Sequence, residues 1–343
     1  MQQYLLESIG ELQCHLFGSH RFYQVVETAE GEAHWQQVES DIFPPLTNQQ
    51  PMSSAKGFFF AEREPLYVFD GQFFRETLPE PEPFVLFGVH SCDLTAIHYQ
   101  DTFFEQDPYY QARRKQALLV GIDCTHPCKN GFCYMVNAGP GVRDETADLI
   151  LHPLEEGHWL LVAVTTRGKD AIHGMSLTPA SSHDMNQRWD RLSHCEHEFE
   201  DHSYIQQGIE LINRDEPSET FWNKVGVQCL ACSGCTTLCP TCSCYGTQTH
   251  KLIDENADVT PESSEQVRFW DSCLYEGFQR EASFHNPSEQ AGERVKRFWY
   301  HKFSDDFLPE FGRYGCVGCG RCEQACPGVI GVHSIMKRIV NDA

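Results

Sequence analysis

Two cysteine runs of identical spacing constrain this chain more than any other feature. Cys229, Cys232, Cys235 and Cys239 follow the pattern C-x2-C-x2-C-x3-C and precede Pro240; Cys316, Cys319, Cys322 and Cys326 repeat it and precede Pro327. Three closely spaced thiolates suit three irons of a cubane, and the loop that carries them aims backbone N–H groups at the sulfurs, offsetting negative charge. Gly234, Gly318 and Gly320 relieve crowding where backbone must lie close to sulfide. In paired runs of this kind the fourth cysteine ligates the other cluster. The expected sets are therefore Cys229, Cys232, Cys235 and Cys326 for one [4Fe–4S] cluster, and Cys316, Cys319, Cys322 and Cys239 for a second. Structural zinc uses well-separated ligand pairs around one tetrahedral ion, which crowded four-fold runs do not supply.

The rest of the composition fits a cytoplasmic metalloprotein. Seventeen cysteines in 343 residues are too many for an ordinary cytosolic protein; a secreted disulfide scaffold would explain them, but such scaffolds are usually small, and reduced cysteines in such number point to metal. The segment MQQYLLESIGELQCH has no basic n-region and carries Glu7 and Glu11 where a signal peptide is apolar. ALLVGI and WLLVAV are the longest kind of apolar stretch, too short to span a membrane. Acidic residues outnumber basic ones 49 to 26, for a formal charge of -23. That balance argues against nucleic-acid or anionic-membrane partners. It serves solubility, or docks the chain to a basic patch on a protein partner.

Periodicity divides the chain into an α/β domain over 1–165, a polar helical connector over 166–225 and a helical two-cluster module over 226–343. Residues 2–16 have helical spacing (Leu5, Leu6, Ile9, Leu12, Leu16), and 22–26 and 58–61 read as short strands. Asp70-Gly71 marks a hairpin between 66–69 and 72–75. FVLFGVH (84–90) reads as a buried strand, with Ser91 capping a helix over roughly 92–105. Asp107-Pro108 breaks that helix, and 117–123 reads as a second strand. Strand, helix, strand at this separation is a βαβ unit with parallel strands. A strand pair is expected at 149–154 and 159–165, and a helical stretch over about 262–303. The fold class is thus α+β: a mixed-sheet α/β domain followed by an α-helical ferredoxin-type dicluster domain.

The βαβ unit has a chemical consequence. Cys92 and Cys124 follow its two strands and emerge at the carboxyl edge of the sheet, where α/β folds place ligands. Cys128 and Cys133 follow in the next loop. These four thiols are the expected ligands of a third [4Fe–4S] site. Cys242, Cys244 and Cys273, near the C-terminal runs, read as packing, and Cys14 and Cys195 as solitary. His194-Cys195-Glu196-His197 reads as a solvated acidic helix. Arg294, Lys296, Arg297, His301 and Lys302 either form a solvated helix face or shield cluster charge and raise its potential. No G-x-G-x-x-G after a strand, Walker loop or G-x-S-x-G elbow occurs. A cluster carrier without its own hydride-handling cofactor needs a further protein at each end.

From about residue 50 onward the chain resembles the family of the sulfhydrogenase β-subunits and the related iron–sulfur subunits of anaerobic sulfite reductase. The likeness rests on FGVHSCDLTAI (87–97), DPYYQARR (107–114), VGIDCTHPCKNGFC (120–133), CLACSGCTTLCPTCSC (229–244), RFWDSC (268–273), RVKRFWYHKF (294–303) and CVGCGRCEQACP (316–327). It departs at Gly131-Phe132-Cys133, where many relatives read Cys-Phe-Cys, and at Asn286-Pro287-Ser288, where Asn-Pro-Arg is expected. The resemblance implies a non-catalytic electron-transfer subunit. Its partners would be a flavin protein that handles NAD(P)H and a catalytic subunit that is either a nickel–iron hydrogenase or a sirohaem sulfite reductase. The alternatives are a stand-alone iron–sulfur reductase of sulfite or polysulfide, and an iron–sulfur redox sensor.

Overall fold

A computed structural model describes residues 1–252 and 263–342. The chain opens with β1 (Gln2–Leu6), α1 (Ile9–Phe17), β2 (Arg21–Glu27) and β3 (Ala33–Val38), then the hairpin β4 (Arg63–Phe69) and β5 (Phe74–Glu76). Next come β6 (Phe84–His90), α2 (Ser91–Phe103), α3 (Pro108–Arg114), β7 (Ala117–Ile122), β8 (Leu149–Pro153) and β9 (Trp159–Ala163). The middle of the chain holds α4 (Thr166–Ala171), β10 (Thr178–Pro179), α5 (Ser182–Glu198), α6 (Ser203–Asn213) and α7 (Glu219–Gly226). The C-terminal part contains α8 (Gly234–Thr237), β11 (Tyr245–Lys251), β12 (Ser264–Trp270), α9 (Ala291–Phe303), α10 (Leu308–Phe311), α11 (Arg321–Ala325) and α12 (Val332–Asp342).

Eight strands form one mixed sheet in the order β10-β1-β9-β8-β7-β6-β2-β3. Its centre, β2-β6-β7-β8, is parallel, and antiparallel strands finish both edges. Every residue of β6 and β7 is buried, which is why they read as unbroken apolar runs. Alternate residues serve two cores. Leu86, Leu119 and Ile150 face one, with Ile97 of α2 and Tyr110 of α3; Val85, Val120 and Leu151 face the other, with Leu12 and Leu16 of α1.

A second sheet, β11-β12-β4-β5, is antiparallel throughout and interlocks distant parts of the chain. β12 pairs β4 from Ser264↔Phe69 to Phe269↔Arg63. A third core gathers Ile205, Ile209 and Ile212 of α6, Phe221, Trp222 and Val225 of α7, Val295, Phe298 and Trp299 of α9, and Ile335 and Met336 of α12. The stretch read as a connector thus supplies helices to the core around the cysteine runs.

Three local expectations change. Residues 2–6 form a strand, because β9 offers an edge in the register Tyr4↔Leu161; the helix starts only at Ile9, where Ser8 Oγ accepts from the Gly10 N–H. Residues 58–61 are not a strand: a 3-10 turn (Ala55–Phe58) drops Phe59 onto Phe84 and Tyr110, and Phe60 onto Phe104 and Trp270. Within 263–303 the helix is confined to α9; Ser264–Trp270 is drawn into a strand by β4 and β11, and residue 262 lies outside the described residues. A smaller shift concerns Ser91, which is the first helical residue rather than the cap, its Oγ donating to the Gly141 carbonyl at 2.7 Å. Among the described residues no helix is long and apolar enough to cross a membrane.

Candidate metal centres

The first thiol set hangs between α7 and α9. Those helices touch backbone to backbone: a Cβ on Gly226 would lie 2.4 Å from the Gly292 nitrogen. Beyond α7 the chain turns through left-handed residues Ala231 and Ser233 into α8. Cys229, Cys232 and Cys235 then line a small cavity together with Cys326, which arrives from the other run. Leu274, Val295, Phe298, Trp299 and Ile330 close its walls. This apolar burial pushes Cys235 up to about 12 and Cys229 above the ordinary thiol range. Such thiols give up their protons when a metal takes the proton's place.

Cys316 and Cys319 of the second set lie on the loop before α11, and Cys322 in its first turn. Gly318 and Gly320 have φ of 64° and 73°, and neither has room for a side chain: a Cβ would come within 2.6 Å of Cys133 N and 2.3 Å of Asn130 O respectively. The loop can therefore lie flat on residues 130–133, where Phe132 N–H donates to Gly318 O at 2.8 Å. Gly318 N–H donates to Cys316 Sγ at 3.4 Å, the N–H-to-sulfur aim that a cluster loop needs. Cys239 joins from the first run, its charge acting on Cys316, Cys319 and Cys322. A hydrogen bond from Cys242, aided by the Lys302 cation, holds the Cys239 thiol well below its ordinary range. Burial opposes the charge on Lys302, but the adjacent Cys239 and Cys242 outweigh it. Lys302 Nζ donates to Thr241 Oγ1 at 2.9 Å, and Thr241 Oγ1 lies 3.2 Å from Cys239 Sγ.

The basic group on α9 therefore divides its work. Lys302 faces the second set, and the Arg294 charge acts on Cys229 while the guanidinium holds the carbonyls of Leu274 and Ser288. Lys296 instead pairs with exposed Asp215 at 2.9 Å. Burial lowers His301 to about 4, so it carries no charge at neutral pH. A cation outside that group is as intimate: Arg321 is fully buried and bidentate with Asp93 of α2 (2.6 and 2.7 Å), and its Nε donates to Pro51 O at 2.8 Å. Its only sequence signal is a charged residue inside a cysteine run.

The third set gathers at the carboxyl edge of β6 and β7, which are parallel as expected. Cys92 lies in the first turn of α2, and Cys124, Cys128 and Cys133 follow β7. A fifth thiol joins them. Cys195, read from sequence as solitary, is 0% exposed on the inner face of α5, in line with buried Arg188 and Leu192. Its charge acts on Cys124 and Cys133, as does that of Cys128. α5 is anchored there by Asp123, which accepts from Arg188 Nε at 2.7 Å and from Val142 N–H at 2.7 Å, with His152 Nδ1 at 3.0 Å. Burial alone would raise Asp123; His152 and Arg188 outweigh it and keep it ionised. His194 points outward beside Glu198, so the rest of that segment is the acidic surface helix expected. Cys92 lies toward the second set, within the field of Cys319 and Cys133, with Gln50 Nε2 3.5 Å from its sulfur.

Cys242 is buried beneath Lys56, whose Nζ donates to the carbonyls of Thr236 and Cys242 and rests 4.2 Å from the Trp270 ring. Cys244 and Cys273 line a surface cleft, and Cys14 is exposed on α1. Among the described residues, no three His, Cys, Asp or Glu side chains converge on a single-ion position.

A mixed-sheet domain joined to helices that carry two paired cysteine runs defines an iron–sulfur protein of the dicluster class, and residues 228–330 match the family model of the 4Fe-4S dicluster domain. The chain is 30% identical over 253 residues to sulfhydrogenase 2 subunit beta of Pyrococcus furiosus, covering 72% of this chain and 71% of that protein. It belongs to the sulfhydrogenase β-subunit family. No solved structure matches it.

Proposed function

We propose that this chain is the electron-transfer subunit of an oxidoreductase complex and holds its clusters in a row. Cys229, Cys232, Cys235 and Cys326 would hold the first [4Fe–4S] cluster, and Cys316, Cys319, Cys322 and Cys239 the second. A third would be held by Cys124, Cys128 and Cys133 with either Cys92 or Cys195 as the fourth ligand. Such clusters supply one-electron redox chemistry when bound. The observation that carries this reading is that Cys326 lines the cavity of the first run while Cys239 acts on the thiols of the second, as an exchange of fourth ligands requires.

The residues around the thiols fix spacing and charge. Cys235 lies in α8 and Cys239 two residues beyond its end, tying the first set to the second, and the Gly318–Cys133 contact ties the second to the third. Lys302, Arg294 and Arg321 place cations beside the sulfurs, which favours the reduced, more negative state. Val227, Leu230 and Val329 are 86%, 68% and 69% exposed beside the first set, an apolar patch suited to a docked protein. The relative's name makes it a subunit of a sulfhydrogenase. By that likeness the partners are a flavin protein that handles NAD(P)H and a nickel–iron hydrogenase, with a sirohaem sulfite reductase as the alternative catalytic component, all in the cytoplasm.

Iron and acid-labile sulfide analysis of anaerobically purified protein tests this reading. Three clusters give roughly twelve of each per chain, and Cys326→Ser alters or abolishes the signal of one centre after dithionite. Colourless protein with no such signal would refute it.

A further inference from the structure

Cys244 and Cys273 belong to none of the three thiol sets, yet the fold brings them together. The β11–β12 ladder places Tyr245 opposite Trp270, and one step further the Asp271 N–H donates to the Cys244 carbonyl at 3.0 Å. Cys273 follows two residues later at the same strand end, and its thiol donates a hydrogen bond to the Cys244 sulfur. Both thiols line one open cleft that also contains Phe278, Lys296 and Arg297. Cys273 is 8% exposed and Cys244 half-buried, so the pair sits at the edge of the core, with Cys244 the more accessible sulfur at the cleft wall.

We propose that Cys244 and Cys273 form a reversible dithiol–disulfide couple that exchanges with small-molecule disulfides entering the cleft. The Cys244 thiolate attacks a disulfide R–S–S–R, forming a Cys244–S–S–R bond and expelling RS⁻. Cys273 releases its proton to solvent, and its sulfur attacks the Cys244 sulfur and expels the second RS⁻. The external disulfide gains two electrons and becomes two thiols, and the cysteine pair loses two. Cys244 is the attacking sulfur because it is the more accessible of the two and the hydrogen bond from Cys273 lowers its thiol below the ordinary range, whereas Cys273 is buried and raised. Cys273 lies within the field of Cys235 of the first set. Return of the couple to the dithiol by two single electrons and two protons from the relay rests on the proposed function above; the exchange itself does not.

The test uses the anaerobic, cluster-loaded protein, equilibrated with mixtures of oxidised and reduced dithiothreitol, acid-quenched, alkylated and digested. As the oxidised fraction rises, alkylation of Cys244 and Cys273 should fall together and one cross-linked peptide pair should appear, with iron content unchanged. Cys273→Ser should abolish the cross-link and leave iron content and the dithionite-reduced signal intact. Full alkylation of both residues at every mixture would overturn the couple and leave the relay untouched. Loss of iron in both Cys244→Ser and Cys273→Ser would also overturn it, by making these residues cluster ligands.

Discussion

Replacing Asp93 with alanine tests whether the two halves of the molecule are locked by a buried ion pair. Asp93 and Arg321 are 2% and 0% exposed, and the carboxylate takes both terminal nitrogens of the guanidinium. The substitution leaves a full positive charge with no water to solvate it and one remaining partner, Pro51 O. Removing one member of a buried pair costs about 3–5 kcal/mol. With a urea m value of about 3 kcal/mol/M, the unfolding midpoint should fall by roughly 1–1.7 M. The assay is an anaerobic urea series followed by far-ultraviolet circular dichroism and visible absorbance. The double variant Asp93→Leu with Arg321→Met should recover most of the loss, because two apolar groups replace two charges. A midpoint within about 0.2 M of the parent for Asp93→Ala, less than ~1 kcal/mol, would refute the lock. So would a double variant worse than either single change.

Other outcomes follow from separate contacts. Gly318→Ala forces a side chain into Cys133 at positive φ, and should cost more than about 1 kcal/mol and disturb the signals of the second and third sets together. Iron content should separate the two candidates for the third set: the fourth ligand is whichever of Cys92→Ser and Cys195→Ser alters that centre, and a centre indifferent to both would exclude the site as drawn. Alkylation of Cys244 should reach half its maximal rate at a pH below the ordinary thiol range, since the thiolate is the reactive form. Removing the donor in Cys273→Ala should move that midpoint up toward about 8.5, and an unchanged profile would show that Cys273 does not activate it.

What the sequence revealed, and what it hid, divides along the distance over which structure is decided. FVLFGVH and ALLVGI are strands in the fold because parallel central strands need apolar residues on both faces, and Asp107-Pro108 breaks the intervening helix locally. The spacing of the two runs of four cysteines is the source of the expectation that they exchange their fourth ligands. β1 and β12 were not legible, since each is a strand only because a remote strand offers it an edge. Cys195 escaped because its neighbours His194, Glu196 and His197 mark a solvated surface, and the helical period that turns Arg188, Leu192 and Cys195 inward shows only against that background. The Asp93–Arg321 pair spans 228 positions and leaves no local trace.

The sheet built from β4, β5, β11 and β12 has a bearing on how the protein is made. Residues 63–76 emerge early in synthesis, yet their partner strand is at 264–270. The nascent chain must keep an unpaired strand edge available until most of the polypeptide has left the ribosome, and pairing at that separation is slow. Maturation factors that deliver iron therefore meet a nearly complete chain, and an excised C-terminal segment produced alone would lack the strand on which β12 is laid.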